Sequence, residues 1–117
     1  VRISRLGITR TVFVFKNFVI KIPNTRYRHR YFIEGCLANW TERQASKNLK
    51  HFPDSYKIIA PTYFCSWFGL IQIQKRAIQL DRELTEEEKE IFSDLTKDIK
   101  SDNVGWINDK LVCFDYA

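Results

Sequence analysis

Two β-rich runs, Val12-Phe13-Val14-Phe15 and Phe18-Val19-Ile20-Lys21-Ile22, are separated by Lys16-Asn17 alone. A two-residue link turns the chain straight back on itself in a tight antiparallel hairpin. Ile3 to Ile22 therefore reads as two or three strands. Pro23, which has no backbone N–H to offer a ladder, ends the second run. Ile58 to Lys75 reads as another hairpin, with Thr62 to Trp67 and Leu70 to Lys75 as its strands and a turn near Phe68-Gly69. Together the hairpins make an antiparallel sheet of about five strands.

Between them, Tyr31 to about Lys50 reads as a helix. Ile33, Leu37 and Trp40 lie on one stripe, and Ala38, Ala45 and Leu49 on an adjoining one. Glu42 falls on the second stripe, so it faces inward, and an inward carboxylate needs a partner. Glu34 is the fallback for that role, near the helix start. A second helix opens at Leu84-Thr85-Glu86-Glu87-Glu88 and is expected to run to near Lys97. Thr85 with Glu88 three residues on is a capping box, and the acids suit the positive helix end. Ile91, Phe92 and Leu95 form the expected buried stripe of this helix.

The chain has 117 residues, 44% apolar and 15% aromatic, enough for one folded domain with a core. No apolar run reaches the length of a membrane span, and the N-terminus lacks a signal-peptide pattern. A cytoplasmic protein with no membrane partner is expected. Cys36, Cys65 and Cys113 are odd in number, widely spaced and set among apolar neighbours, which reads as reduced thiols. Residues 1–60 hold 12 Lys and Arg against 3 acids, a net +9, and residues 61–117 hold 7 against 11, a net −4. That asymmetry suits polyphosphate at one side and metal at the other, or a basic patch for nucleic acid. The basic, aromatic loop Asn24 to Tyr31 is the candidate for the latter. Its plainer reading is a solvated loop with rings folded onto the core.

The stretch from Asp98 to Ala117, DIKSDNVGWINDKLVCFDYA, sets Asp98, Lys100, Asn103 and Asp115 in a fixed order. It reads as a loop, a turn at Asn108-Asp109 and a short buried strand, Leu111-Val112-Cys113-Phe114, that delivers Asp115. An amide oxygen and a carboxylate suit a hard cation. The plain alternative is a polar loop followed by an edge strand.

Taken with Lys21 at a strand end and Glu42 on an inward helix face, this order resembles the protein kinases, in a minimal and divergent form of bacteriophage type. The resemblance runs from about Leu6 to Ala117. It implies an α+β fold: a kinase-like N-lobe over 1–76, and over 77–117 a rudimentary helical C-lobe ending at the metal-binding loop. It implies ATP and Mg²⁺ as ligands, with Gly7 in the glycine loop and Lys21 paired to Glu42. Gln74 would be the gatekeeper, with Lys75, Arg76 and Ala77 as the adenine hinge. Asp98 would be the base with Lys100 beside it, and Asn103 and Asp115 the metal ligands. Thr9 and Val12 stand where two further glycines belong, Thr96-Lys97 replaces His-Arg, and Asp115-Tyr116-Ala117 replaces Asp-Phe-Gly. The implied activity is phosphate transfer to a Ser or Thr hydroxyl of the protein itself or of a docked protein. The alternatives are a pseudokinase regulating a host protein by contact, a small-molecule phosphotransferase, and a nucleic-acid binder.

Overall fold

The computed structural model describes residues 2–4, 9–24, 29–93, 95 and 99–116. They form an α+β protein with antiparallel sheets and one long helix. The chain divides into two units, residues 1–45 with 62–76 and 117, and residues 46–61 with 77–116. No helix among the described residues is long and apolar enough to cross a membrane.

The first unit holds β1 (Arg2–Ser4), β2 (Arg10–Val14), β3 (Phe18–Pro23), β4 (Thr62–Cys65), β5 (Gln72–Lys75) and α1 (His29–Leu49) as far as Ala45. The strands form one sheet in the order β1-β2-β3-β5-β4, antiparallel throughout. The β2–β3 turn is the expected one at Lys16-Asn17. Phe15 N–H donates to the Phe18 carbonyl at 2.9 Å, and the two rings stack across the turn at 4.8 Å. Helix α1 starts at His29, two residues before the expected start, and Arg26, Tyr27 and Arg28 of the basic, aromatic loop lie outside the described residues.

Alternation along the strands puts Arg10 and Val12 of β2, Val19 and Lys21 of β3, and Gln72 and Gln74 of β5 among the buried residues. Register sets Val12 beside Lys21 and Lys21 beside Gln72. The buried row is thus largely polar, and α1 answers it in kind. Gly35, Asn39 and Glu42 are buried at spacings of four and three, and Ser46 continues the stripe. The apolar stripe of Ile33, Leu37 and Trp40 is the outer one: Ile33 and Leu37 are 63% and 62% exposed, and Trp40 is 44% exposed. The reason is partner-matching. Buried cations and amides on the sheet need polar groups opposite, so the polar face of α1 turns inward. Gly35 permits the close approach, since a Cβ there would collide with the Thr9 carbonyl.

The second unit is not the helical piece expected. It holds α2 (Pro53–Tyr56), α3 (Glu86–Ile91) and a three-stranded antiparallel sheet of β6 (Ile78–Gln79), β7 (Val104–Ile107) and β8 (Lys110–Cys113). The turn at Asn108-Asp109 is present with φ of 48° and 68°, the left-handed pair of a type I′ hairpin. Leu80, Leu84, Phe92, Ile99, Val104 and Cys113 make an apolar core. Full burial of each large side chain contributes about 1.5–3 kcal/mol. Cys36, Cys65 and Cys113 are not joined in disulfides.

Helix α3 is shorter than its sequence pattern. It stops at Ile91, which is 48% exposed, and Phe92 caps it while filling the core at 0% exposure. Its start is as read. Thr85 Oγ1 accepts from Glu88 N–H at 3.2 Å, and Glu88 Oε1 accepts from Thr85 N–H at 3.0 Å. Arg82 grips the same carboxylate at 2.7 and 2.8 Å. Those Arg82 hydrogen bonds, then the Thr85 backbone, hold the Glu88 carboxyl down at about 2. Thr85→Ala should lower stability by about 1 kcal/mol, read by urea unfolding. Glu87→Ala, at an exposed neighbour, should change it little.

Candidate functional site

Lys21 reaches the inner side of the first unit because it alternates with Val19 on β3. Glu42 reaches the same place because it lies seven residues, two helical turns, after Gly35 on the buried stripe of α1. Lys21 Nζ is 3.0 Å from Glu42 Oε1, so the pair expected from the sequence is formed. Both groups are almost wholly buried, at 2% and 0% exposure.

Three residues that the sequence reading did not single out complete this cluster. Arg10 Nη1 lies 2.7 Å from Glu42 Oε1, Arg10 Nη2 is 3.3 Å from Oε2, and Nη1 also donates to Asn39 Oδ1 at 3.2 Å. Gln72 Nε2 donates to Glu42 Oε1 at 2.9 Å. Asn39 Nδ2 donates to the carbonyls of Lys21 at 3.1 Å and Gly69 at 2.8 Å, tying α1 to β3 and to the β4–β5 turn. The signal for Arg10 was its place two residues before Val12, on the same strand face. Gln72 and Gln74 carry the same period-two signal in β5.

The electrostatics follow from that geometry. Burial alone would raise the Glu42 pKa. The charges of Lys21 and Arg10 outweigh it, helped by hydrogen bonds from Arg10 and Gln72, and hold the carboxyl well below the usual carboxylate range. Glu42 is therefore an ion at neutral pH inside a polar core. Glu34, the fallback partner, sits instead on the exposed side with Arg30 at 3.1 Å.

In the second unit, the β7–β8 hairpin pairs Val104 with Cys113, and Phe114 N–H donates to the Asn103 carbonyl at 2.9 Å. This extends the ladder by one step and brings Asn103 beside the segment that carries Asp115. Both residues are half-buried. Asn103 closes a 3₁₀ turn, Ser101–Asn103, for which Lys100 is the exposed N-cap residue. Asp98 lies outside the described residues, and so does Gly7. No group of three or more His, Cys, Asp or Glu suited to a metal occurs among the described residues. Mg²⁺ requires less, since it keeps several waters and takes one or two side-chain oxygens. The Asn103 amide and Asp115 carboxylate fit that requirement by chemistry.

Gln74 is fully buried on β5, paired with Val19 and Thr62. Lys75 ends β5 and is half-buried, as are Arg76 and Ala77. Arg76 is fixed to the first hairpin: its N–H donates to Asn17 at 3.3 Å and its Nη1 to the Phe15 carbonyl at 3.1 Å. No family model, curated protein or solved structure matches the chain.

Proposed function

We propose that the chain is a minimal kinase-like phosphotransferase that binds Mg·ATP and passes the γ-phosphoryl group to a Ser or Thr hydroxyl of itself or of a docked protein. The observation that carries this reading is the Lys21–Glu42 ion pair at 3.0 Å, joining the third strand of a five-stranded sheet to the helix packed on it. A lysine held by a carboxylate keeps its charge, as contact with α- and β-phosphates requires; Lys21 is 2% exposed, so nucleotide entry would have to open the sheet–helix contact for the two to meet. Asn103 and Asp115 would hold Mg²⁺, which when bound neutralises charge on the phosphates. Asp98 would take the hydroxyl proton as the oxygen forms its bond to phosphorus. The bond to the β–γ bridging oxygen breaks and ADP leaves. Lys100 would steady the phosphoryl group in flight. Lys75 and Ala77 would offer backbone groups to adenine, and Gly7 would lie in the phosphate loop. The cytoplasm, where ATP is abundant, suits this activity.

A second reading has its own support. Glu42 is shared between Lys21 and Arg10 in a nearly dry cluster. Such a cluster can serve as structure alone, as in a pseudokinase that regulates a host protein by contact.

Thermal unfolding with and without Mg·ATP separates the two. A ligand of the native state at 100 times its Kd should add about 2.7 kcal/mol. The melting temperature should rise for the wild type and rise less for Lys21→Met. A melting temperature unchanged by Mg·ATP would reject nucleotide binding and favour the regulator.

A further inference from the structure

We infer that the outer face of α1, together with the β4–β5 turn, is a docking surface for an acidic segment of a partner polypeptide that inserts a bulky apolar side chain. The inference is independent of whether the chain transfers phosphate. A groove of about 460 Å³ is lined by Cys36, Leu37 and Trp40 of α1 and by Trp67 and Phe68 of the turn. That is a volume in which apolar anchors are commonly seated. Trp67 and Phe68 are 85% and 81% exposed. Ile33 extends the same apolar stripe by one turn of the helix, so the face is contiguous and large.

The turn that holds these rings out is built, not loose. Phe68 has φ of 61°, in the left-handed region that a bulky residue rarely occupies. Gly69 follows at φ 67° and packs so closely on α1 that a Cβ would collide with the Cys36 carbonyl. Asn39 Nδ2 donates to the Gly69 carbonyl at 2.8 Å, and Ser66 Oγ accepts from Ile71 N–H at 2.9 Å. The fold thus holds a backbone strain that keeps two aromatic rings in water beside an apolar helix face.

Charge decides the occupant. The acidic residues of this unit are Glu34 and Glu42, against eleven Lys and Arg. Glu42 is buried and Glu34 is engaged by Arg30. Arg30 and Glu34 offset each other, whereas Arg43, three residues after Trp40, donates to the Thr62 carbonyl at 2.7 Å and leaves a positive charge at that end of the stripe. A second copy would bring like charge against like charge. An acidic segment meets the rim favourably and gains orientation from it. A fluid bilayer has no fixed knob to fill a concave groove, whereas a polypeptide does.

The test uses the full chain without nucleotide. Random dodecapeptides displayed on phage are selected on the protein, and an enriched peptide is synthesised and titrated by fluorescence anisotropy. Enriched sequences should carry net negative charge around an aromatic or large aliphatic residue, with binding that weakens as salt rises. Leu37→Glu and Trp67→Ala should each weaken binding at least about tenfold. Both positions are exposed, so both variants should melt as the wild type does. Neutral or basic consensus sequences, failure to enrich any sequence, or binding indifferent to both substitutions would overturn the inference. Self-association abolished by Leu37→Glu would assign the face to a second copy and overturn it too. So would co-sedimentation with phosphatidylcholine–phosphatidylserine vesicles that the same substitution abolishes.

Discussion

Glu42→Ala should destabilise the first unit by about 3–5 kcal/mol, because it removes a carboxylate that two buried cations share. Arg10 and Lys21 are 5% and 2% exposed, and each lies within 3.0 Å of Glu42 Oε1. Water cannot replace the lost charge without opening the sheet–helix contact. Glu42→Gln keeps the shape and loses the charge, so it should fall nearly as far. Ile33→Ala on the outer stripe of the same helix should cost far less. A triple replacement of Arg10, Lys21 and Glu42 by apolar residues of similar volume should recover much of the loss, since a buried ion cluster is poor at stabilising compared with a packed apolar one. Urea unfolding of the four variants checks this set. Equal stability of Glu42→Ala and Ile33→Ala would refute it.

The same carboxylate gives the acid response a sign. Its folded-state pKa is depressed by Lys21 and Arg10, against the opposing effect of burial. Its contribution is therefore fully present above the unfolded-state value of about 4.3 and is lost as pH falls below that toward the folded-state value. Stability of the wild type should drop on acidification below about pH 4, and the Glu42→Gln variant should lack that component of the drop.

How legible this was differs between the units. The Lys16-Asn17 hairpin, the Asn108-Asp109 turn and the Thr85–Glu88 capping box are local, and local chemistry determines them. That Glu42 needs a partner was legible from its place on an inward stripe, and the resemblance to kinases implied that the partner is Lys21. The orientation of α1 was harder to read. Its apolar stripe, Ile33, Leu37 and Trp40, has good helical spacing, and spacing alone identifies a face without saying which way it points. The inward face was set by Arg10, Lys21 and Gln72, which lie on three different strands and meet only when the sheet forms. Apolar residues also occupy the other face of that sheet, where Ile3, Phe13, Ile20, Ile73 and Phe64 align across five strands. The rule that apolar means inside therefore selects the wrong side for this unit. In the second unit it succeeds for Phe92 and Val104, but the two-residue strand β6 was too short to carry a period. Helix α3 ends early because Phe92 leaves the helix to fill the core.

Substitution at two aspartates should separate the roles proposed for the second unit. Asp115→Asn should abolish phosphate transfer and also weaken Mg·ATP binding. An amide lacks the charge that would hold Mg²⁺, and the β7–β8 hairpin leaves the position of Asp115 set by its neighbours: the Phe114 N–H bond to Asn103 on one side and the Tyr116 hydroxyl, 2.9 Å from the Ala60 carbonyl, on the other. The backbone that presents Asp115 is thus anchored independently of its charge, so the variant should fold. Asp98→Asn should instead spare nucleotide binding and slow transfer by a factor on the order of 10² to 10⁴, the loss expected for a general base. Asn103→Ala should fall between, weakening the metal without removing its charged ligand. Radiolabelled ATP with the wild type and the three variants, alone and with an acidic peptide selected on the α1 groove, supplies the comparison. Equal label transfer by wild type and Asp115→Asn would remove Asp115 from the metal. Absence of transfer by the folded wild type under every condition, with a melting temperature still raised by Mg·ATP, would leave a nucleotide-binding regulator.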